Sequence, residues 1–347
     1  MTLTSNTPDI ARAADVLVHD YMSIQPHENV IITADTDTDP SVIQSIFTSV
    51  ETLGARAVVI TTRKLPFQGS LADPFIPNII SELTMNCDVW IDLTFPYFAG
   101  STFHDNTMKL GKARYLLGGD MGRGGLVRLF GKVDLDKYFE VHQGFDRIIA
   151  ESEGKECHIT NNQGTNVRFR IGKPGYTKPR KASKPGMYLV PGACTIFPQE
   201  ETVTGKIVVD SVFHEYYTHL PEPLILNVEG KIKNLEGGGS ERKVMDRALR
   251  RAGGGTYGYV IHFTYGIHPA ARQTEPSFVE AMRVQGANSV GLGLPWWNPG
   301  GGENHPDAIL STQSIMIDGN KFVEEGIIVS PEELTIMAQH LEPLFFS

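Results

Sequence analysis

The strongest constraint on the fold lies in residues 30–62, where two short apolar runs enclose a helical segment. The first run, VIITA, leads to Asp39, Pro40, a stretch with helical spacing of apolar residues, and Gly54; the second run is AVVIT. Asp39 can cap a helix, Pro40 suits the first helical turn and Gly54 suits the end. Two apolar strands joined by such a helix predict a βαβ unit with parallel strands.

Further strands are expected at residues 89–93 and 115–117, which are separated from this unit by segments long enough for crossover connections. A helix is expected before the unit, from Asp9 to Met22. Strands that alternate with helices build an open, doubly wound sheet. We therefore predict an α/β domain over residues 1–150.

The pattern then changes to short alternating runs broken by Gly and Pro, such as CHITNN, NVRFRIG, KIVVDSVF and PLILNVEGKIKNL. Period-two alternation with turn residues between the runs predicts strands and hairpins. A helix is expected between Ser240 and Gly253, and another after Ser330, which with Glu333 has the pattern of a capping box. We predict a mixed, mainly β domain over residues 151–347, so the fold class of the whole chain is α/β.

Composition narrows the choice of partners. The formal charge of −9 and the pI of 5.7 argue against nucleic acid, because phosphate binding needs clustered Lys and Arg. No apolar run approaches the ~20 residues that a membrane-spanning helix needs, so no membrane partner is expected. The first residues do not have the pattern of a signal peptide, so the cytoplasm is the expected location.

The three cysteines, Cys87, Cys157 and Cys194, are widely spaced and form no CxxC pair. This spacing predicts neither a disulfide framework nor a thiolate zinc site. A metal ion in this chain would therefore be held by histidine and carboxylate side chains.

The segment GENHPDAI is the first candidate for such a site. His305 and Asp307 are two residues apart, and in an extended segment side chains at that spacing point to the same side. A surface ion pair would have the same pattern. The preceding glycine-rich run, residues 298–304, favours a site, because glycine-rich loops let the backbone approach a ligand closely.

His262 is the best candidate for a third ligand, since it interrupts the apolar run YGYVIHFTYGIHP. A core histidine bonded to a carbonyl is the alternative explanation. Tyr265, His268 and Arg272 follow within ten residues and favour a polar pocket. Two neutral imidazoles and one carboxylate are the facial triad of non-haem Fe(II) oxygenases, which leaves positions open for substrate and O₂.

A second histidine-rich segment, FHEYYTHL, contains His214, Glu215 and His219. Its order is H-E-x-x-x-H, so it is not the HExxH motif of zinc peptidases. We favour an exposed or interfacial position over metal ligation, and a supporting role beside a ligand histidine stays open.

Several segments together resemble a known family: PGACTIFPQEETVTGKIVVD, NVEGKIKNLEGG, YGIHPAAR, HPDAIL and MIDG. Their order after an N-terminal α/β half is similar to the aminopeptidase T family of metallopeptidases. The chain resembles more closely the 2,5-dihydroxypyridine 5,6-dioxygenases, which share that fold. The resemblance covers most of the chain, and its specific part is residues 185–319.

The departures from the peptidases imply a different metal centre. Peptidases of this family hold two metal ions with glutamates and an extra histidine, where this chain has Ala193, His262 and Ser289. The pyridine dioxygenases have the set that remains here, His262, His305 and Asp307. The resemblance therefore implies these three as metal ligands and catalytic residues, with one Fe(II) per protomer.

The resemblance also implies the reaction, an extradiol-like ring cleavage. A dihydroxylated N-heteroaromatic and O₂ would be the small-molecule partners, and 2,5-dihydroxypyridine would give N-formylmaleamate. In place of the histidines of the dioxygenase pocket this chain offers Tyr188, and either Tyr97 or His104. Tyr188, His104 and His268 are the expected substrate-binding residues. A packed tyrosine and a capping pair of His104 with Asp105 are the alternatives.

Two other functions remain open. The first is a mononuclear hydrolase similar to the metallo-aminopeptidases, and the second is a ligand-binding protein without turnover. Consumption of O₂ separates the dioxygenase from the hydrolase. We also expect the protein to be a homo-oligomer.

Overall fold

A computed structural model describes residues 7–173, 181–273, 277–295 and 305–344 of the 347. The chain forms two compact units. The first contains Met1–Leu135, Thr177–Pro191 and Pro343–Ser347, and the second contains Asp136–Tyr176 and Gly192–Glu342. The division of the chain into two domains with a boundary at residue 150 stays a prediction.

The helices are α1 (Thr7–Asp15), α2 (Pro40–Leu53), α3 (Asn78–Met85), α4 (Thr102–Lys109), α5 (Arg123–Gly131), α6 (Leu135–Glu151), α7 (Glu241–Ala252), α8 (Phe278–Ala281) and α9 (Glu332–Gln339). The strands are β1 (Asn29–Asp35), β2 (Arg56–Thr62), β3 (Val89–Asp92), β4 (Arg114–Leu117), β5 (Glu156–Asn161), β6 (Asn166–Arg170), β7 (Gly186–Leu189), β8 (Ala193–Ile196), β9 (Thr204–Phe213), β10 (Tyr217–Glu229), β11 (Lys231–Gly237), β12 (Tyr259–Gly266), β13 (Asn288–Gly293), β14 (Asp307–Leu310), β15 (Gln313–Ile317), β16 (Asn320–Glu324) and β17 (Ile327–Ile328).

The first unit contains a parallel sheet with the strand order β2-β1-β3-β4-β7. The predicted βαβ unit is confirmed as β1, α2 and β2. The Asp39 side chain caps α2 by accepting a hydrogen bond from the Ser41 amide at 2.9 Å. Gly54 ends the helix with φ of +88°, a left-handed conformation that glycine adopts without steric cost.

The predicted strands at 89–93 and 115–117 are confirmed as β3 and β4, and both are buried along their whole length. The helix expected before the βαβ unit is present as α1, continued by a π-helical segment, Val16–Tyr21. One strand of this sheet, β7, comes from much later in the chain and pairs parallel to β4.

The second unit is built on a large, mostly antiparallel sheet with the strand order β10-β11-β12-β13-β14-β9-β6-β5-β15-β16-β17. Strand β8 pairs with β12, outside that order. An additional pairing of β10 with β9 closes six strands into a ring: β10, β11, β12, β13, β14 and β9. The mainly β character predicted for this part of the chain is confirmed.

The two predicted helices of this unit have different outcomes. Helix α7 begins directly after Ser240 and ends directly before Gly253, as predicted. The capping box at Ser330 is wrong, since the residue at the N-cap position of α9 is Pro331, without a side-chain cap. The Ser330 hydroxyl donates instead to the Lys321 carbonyl at 2.6 Å, outside helix α9.

No helix among the described residues is both long and apolar enough to cross a membrane.

Removal of the α2 cap tests the βαβ unit. Asp39 also accepts hydrogen bonds from the backbone amide and side chain of Arg123, at 3.2 and 3.1 Å, so it links α2 to the start of α5. We expect Asp39→Ala to lower the free energy of unfolding in urea by about 1–2 kcal/mol. The control is Asp37→Ala, which removes a surface ion pair with Lys64 and should cost less than about 1 kcal/mol. Equal losses in the two variants would contradict the capping role.

Candidate metal centre

Strand β12 separates an aromatic face from a polar face. Phe263 stacks on Phe169 with ring centroids 4.7 Å apart, and Tyr265 stacks on Phe145 at 5.7 Å. Side chains alternate along a strand, so His262 and Thr264 lie on the other face. The aromatic pairs hold the strand from one side and leave the polar pair to form a site on the other.

The sheet register places His262 and Asp307 on either side of a glycine. His262 pairs with Gly291 on β13, and Gly291 pairs with Asp307 on β14. Directly opposite residues in antiparallel strands carry their side chains on the same face. The two ligand candidates are therefore two strands apart, a backbone separation of roughly 10 Å.

Gly291 makes the approach of these two side chains possible. A Cβ atom at this position would lie 2.0 Å from His262 Nε2 and 2.2 Å from its Cδ2, far inside contact distance. The imidazole occupies the space that any other residue would fill. As a result, His262 Nε2 lies 3.4 Å from Asp307 Oδ1.

His305 completes the cluster from the segment just before β14. Its Nε2 lies 3.2 Å from Asp307 Oδ2, and its ring is nearly perpendicular to that of His262, with centroids 5.7 Å apart. One nitrogen of each histidine and one Asp307 oxygen all lie within 4.8 Å of one another. The His305 side chain is 15% exposed, against 6% and 7% for the other two, so the cluster is open on the His305 side.

Hydroxyl groups fix the orientation of the buried members. Thr264 Oγ1 lies 2.9 Å from His262 Nδ1 and 3.2 Å from Thr195 Oγ1 on β8. Ser289 on β13 donates to Asp307 Oδ1 at 2.9 Å. Such contacts to the remaining atoms of a ligand are typical of metal sites, where they hold the ring or carboxylate in one orientation.

The electrostatics of the cluster favour an ionised Asp307. Burial alone would raise the pKa of its carboxyl, but the attraction and hydrogen bond of His305, with smaller contributions from His262 and Ser289, bring the pKa below its usual value. The site is therefore a buried carboxylate between two imidazoles.

The donor set fits one divalent metal ion. It contains two imidazole nitrogens and one carboxylate that converge on one point. Gly291 leaves room for the His262 ring, which provides one of the nitrogens. Among the described parts of the chain, no other group of His, Cys, Asp and Glu side chains converges in this way. The glycine-rich run at 298–304 lies outside the described residues.

The three expected substrate-binding residues lie in different environments. His268 belongs to the second unit, is fully buried, and accepts a hydrogen bond from the Ala270 amide at 3.1 Å. Tyr188 belongs to the first unit, on β7, and donates to the Lys184 carbonyl at 2.5 Å. The structure thus brings the metal-ligand candidates together, whereas each of these residues is described within its own unit.

His104, on α4 of the first unit, has a distinctive environment. Its ring meets that of Tyr115 edge-on at 4.6 Å, and its Nδ1 lies 3.2 Å from Asp105 Oδ1. Its Nε2 is buried and has no hydrogen-bond partner among the described residues. A buried nitrogen of this kind requires an explanation, and a ligand is one. Tyr97, the alternative to His104, is buried in the same unit.

The segment FHEYYTHL does not join the metal cluster, but its first histidine is not exposed. His214 is buried, with Nε2 3.3 Å from Glu241 Oε2, so of the two expected positions the exposed one is wrong for this residue and the interfacial one stays a prediction. Burial lowers the pKa of His214, and the neighbouring Glu241 only partly compensates. Glu215 forms ion pairs with Arg247 and Arg251, at 2.9 and 3.2 Å.

The sequence interpretation missed Thr195, Thr264 and Gly291, and it assigned Ser289 only to a lost metal position. The alternation of polar and aromatic residues in HFTY was an available signal for Thr264. No local pattern marked Gly291, because its importance comes from two strands that lie beside it only in the folded protein.

Comparisons with known proteins agree with this architecture. The model of the family described as 2,5-dihydroxypyridine 5,6-dioxygenase (NicX) matches residues 18–330. A solved structure of a 2,5-dihydroxypyridine dioxygenase from Pseudomonas putida has a TM-score of 0.74 and 17% identity, and the match covers 96% of this chain and 100% of that one. Wild-type AmpT from Thermus thermophilus has a TM-score of 0.68 and 10% identity, with 94% and 100% covered.

At these identities the structural matches concern the fold alone, and they confirm the predicted α/β fold class. A search of curated protein sequences gives no significant match.

The space at Gly291 provides a direct test of the cluster. We expect Gly291→Ala to displace the His262 ring and weaken metal binding by at least about tenfold, the scale of effect seen when a ligand loses its orientation. Metal content after anaerobic reconstitution, with circular dichroism on the same sample, measures this. Gly122→Ala is the control, because a Cβ there meets nothing within 4 Å. Wild-type metal binding by Gly291→Ala would contradict the assignment of His262.

Proposed function

Because the chain belongs to the 2,5-dihydroxypyridine 5,6-dioxygenase family, we propose that it is an Fe(II)-dependent enzyme that opens the ring of a dihydroxylated N-heteroaromatic with O₂. The proposed substrate is 2,5-dihydroxypyridine and the proposed product is N-formylmaleamate. The observation that carries the proposal is the convergence of His262, His305 and Asp307 over Gly291.

One Fe(II) per protomer would be held by these three side chains. The ion would supply adjacent open positions for substrate and O₂, the property associated with a ligand set of two histidines and one carboxylate. The remaining chemistry depends on what the protein's own residues do around the cluster.

The Thr264 and Thr195 hydroxyls bear on which ring nitrogen of His262 carries the proton. With Nε2 bound to a metal ion, the proton of a neutral His262 would lie on Nδ1, where Thr264 Oγ1 at 2.9 Å can accept it. Thr264 could in turn donate to Thr195, so the proton on Nδ1 would have a positioned acceptor. These hydroxyls are therefore compatible with Nε2 as the ligand atom.

Asp307 sets the charge of the site. It is the single carboxylate of the cluster, and its lowered pKa keeps it ionised at neutral pH. The cluster therefore neutralises only one charge of a divalent ion, which favours a substrate with an acidic ring hydroxyl. The exposure of His305 makes that side the accessible approach to the cluster.

Tyr188, His104 and His268 are the proposed substrate-binding residues. The buried Nε2 of His104 supports a ligand contact, since a ring hydroxyl would give this nitrogen a partner. The hydroxyl of Tyr188 is bonded to a backbone carbonyl, so this residue would contact a substrate mainly through its ring.

A mononuclear hydrolase similar to the metallo-aminopeptidases is the second candidate function, and the position of Ser289 argues only against the two-metal form of such an enzyme. Its hydroxyl is bonded to Asp307, and the metal group contains no fourth His, Cys, Asp or Glu within the described residues. The described residues thus offer too few ligands for a second ion. Catalysis by a hydrolytic pair of metal ions needs both.

Oxygen uptake on the protein loaded anaerobically with Fe(II) tests the function. We expect uptake with 2,5-dihydroxypyridine, one bound iron per protomer even with excess metal, and formation of N-formylmaleamate. Peptide hydrolysis without O₂ uptake on any dihydroxypyridine would establish the hydrolase instead. Bound ring compound without turnover would favour a ligand-binding protein.

Variants of the cluster belong to the same experiment. His305→Ala and Asp307→Ala should each remove bound iron and O₂ uptake, with little change in circular dichroism. His340→Ala changes an exposed histidine outside the cluster and should match the wild type. Wild-type iron content in either cluster variant would exclude that residue as a ligand.

His262→Glu tests why a nitrogen occupies this position. The substitution adds a negative charge to the cluster and removes the hydrogen bond with Thr264. We expect O₂-dependent turnover to fall at least about a hundredfold, the upper scale for a perturbed metal site, without the appearance of peptidase activity. Both assays are run on one preparation, with its iron content measured. Undiminished O₂ uptake would show that the neutral ligand is dispensable.

A further inference from the structure

The turn between β9 and β10 begins directly beside the strand of a candidate metal ligand. Phe213, the last residue of β9, pairs with Asp307, the first residue of β14. Residues 214–216 follow and lead into β10. The backbone pairing that holds Asp307 on one side therefore ends where this turn begins.

Two side chains of the turn hold it to α7. The Tyr216 hydroxyl donates to Glu241 Oε2 at 2.9 Å, and Glu241 is the first residue of the helix. Glu215 forms ion pairs with Arg247 and Arg251, at 2.9 and 3.2 Å. Helix α7 also contacts β13, the strand between the two that carry His262 and Asp307. The turn therefore ties β9 to a helix that supports a neighbouring strand of the cluster.

His214 is the buried side chain of the turn, and its ring has no exposed surface. Its Nδ1 accepts a hydrogen bond from the Glu215 amide at 2.7 Å. Its Nε2 lies 3.3 Å from Glu241 Oε2, without the geometry of a hydrogen bond. Since Nδ1 is an acceptor, the proton of the ring lies on Nε2. The closed turn thus requires the neutral form of His214.

Protonation of His214 would disrupt this arrangement. A second proton, on Nδ1, would point at the amide hydrogen of Glu215, and the hydrogen bond between them would be lost. The titratable and charged groups that face the ring are Glu241 and Arg247 from α7 and Glu215 and Tyr216 from the turn. Burial lowers the pKa of His214, and the carboxylates offset only part of this effect.

The pH dependence of the turn follows from this lowered pKa. In an opened turn the ring lies in water and has the ordinary histidine pKa of about 6.5, so it binds a proton more readily than in the closed turn. The advantage of the closed turn is therefore complete above about pH 6.5 and is lost as the pH falls below that value.

We propose that neutral His214 is a positioning residue for Asp307: it closes the β9–β10 turn on α7 and so holds the strand that pairs with the ligand. The inference rests on the proposed function, in which Asp307 binds the metal ion. His214 acts through Phe213 and the backbone pairing of β9 with β14. Mild acid opens the turn and loosens the Asp307 end of β14, so one buried side chain makes the centre sensitive to pH.

Two amide substitutions separate the roles of the two ring nitrogens. In His214→Asn, Oδ1 takes the place of Nδ1 and can accept from the Glu215 amide, but it cannot gain a proton. In His214→Gln the amide extends to the place of Nε2, so the acceptor beside Glu215 is lost. Tyr216→Phe is the matched control, because it removes a hydrogen bond to Glu241 and leaves the titrating ring in place.

Hydrogen exchange in the iron-loaded protein, followed in residues 211–217 and 307–310, measures the opening. Rates at about pH 7.5 and about pH 5.5, on either side of the ordinary histidine pKa, are corrected with an unstructured peptide. We expect opening of the wild type to rise up to about tenfold at the lower pH, since the opened ring binds one proton more. His214→Asn should match the wild type at the higher pH and lack this rise, and because it keeps every other histidine, the difference isolates His214.

The other two variants should behave differently. Tyr216→Phe should open more at both pH values, with the wild-type ratio between them. His214→Gln should open about tenfold more at both, the effect of one lost hydrogen bond. It should also lose iron to a chelator about tenfold faster at about pH 7.5, the scale for a ligand that loses its orientation, whereas His214→Asn should keep the wild-type rate.

Two results would overturn the proposal. An equal rise at low pH in the wild type and His214→Asn would show that another group controls the opening. In His214→Gln, faster exchange confined to residues 211–217 with a wild-type rate of iron loss would show that the turn does not position Asp307. Either result leaves the proposed function intact, whereas a wild-type protein without O₂ uptake on any dihydroxypyridine would refute that function and leave the exchange results unchanged.

Discussion

The close approach of His262 and Asp307 over Gly291 is the interaction on which the rest of the centre depends. The two side chains start two strands apart and meet only because the intervening position has no side chain. A buried carboxylate would be costly without partners, and the two imidazoles and the Ser289 hydroxyl supply them. The space at Gly291, the strand pairing and the partners of the Asp307 carboxylate therefore all occur at one place in the sheet.

The sheet contributes rigidity by using its two faces differently. Stacked aromatic pairs anchor β12 from one side, and the hydroxyl and imidazole groups lie on the other. Sites built on paired strands hold their geometry better than sites built on loops, because each ligand is fixed by backbone hydrogen bonds on both sides. His305 is the exception, since it precedes β14, and it is also the most exposed of the three.

The same register extends beyond the metal cluster. Phe213 on β9 pairs with Asp307 and with Tyr217 on β10, so a single alignment of five strands, from β12 to β10, determines which residues share the face of the cluster. A shift of one residue in any pairing would turn these side chains to the opposite face. The pairing of β9 with β10 resists such a shift, because it closes the six strands into a ring.

Local signals in the sequence were enough to predict the βαβ unit, the buried strands of the first sheet, helix α7 and the three residues that converge. Capping residues, periodicity and the two-residue spacing of His305 and Asp307 are all carried by near neighbours in the chain. The failures were the capping box at Ser330 and the exposed alternative for His214. The Ser330 hydroxyl is bonded to the Lys321 carbonyl and His214 lies buried beside Glu241, and no local pattern in the sequence specified either contact.

Only the tertiary structure decided that Gly291 would leave the space for the His262 ring, that Ser289 would donate a hydrogen bond to Asp307, and that β7 would join the first sheet. The physical reason is that strand pairing joins residues far apart in the chain, and no local propensity specifies which residue faces which. The sequence by itself determined the chemistry of the three candidate ligands, and the register of the sheet determined that they meet.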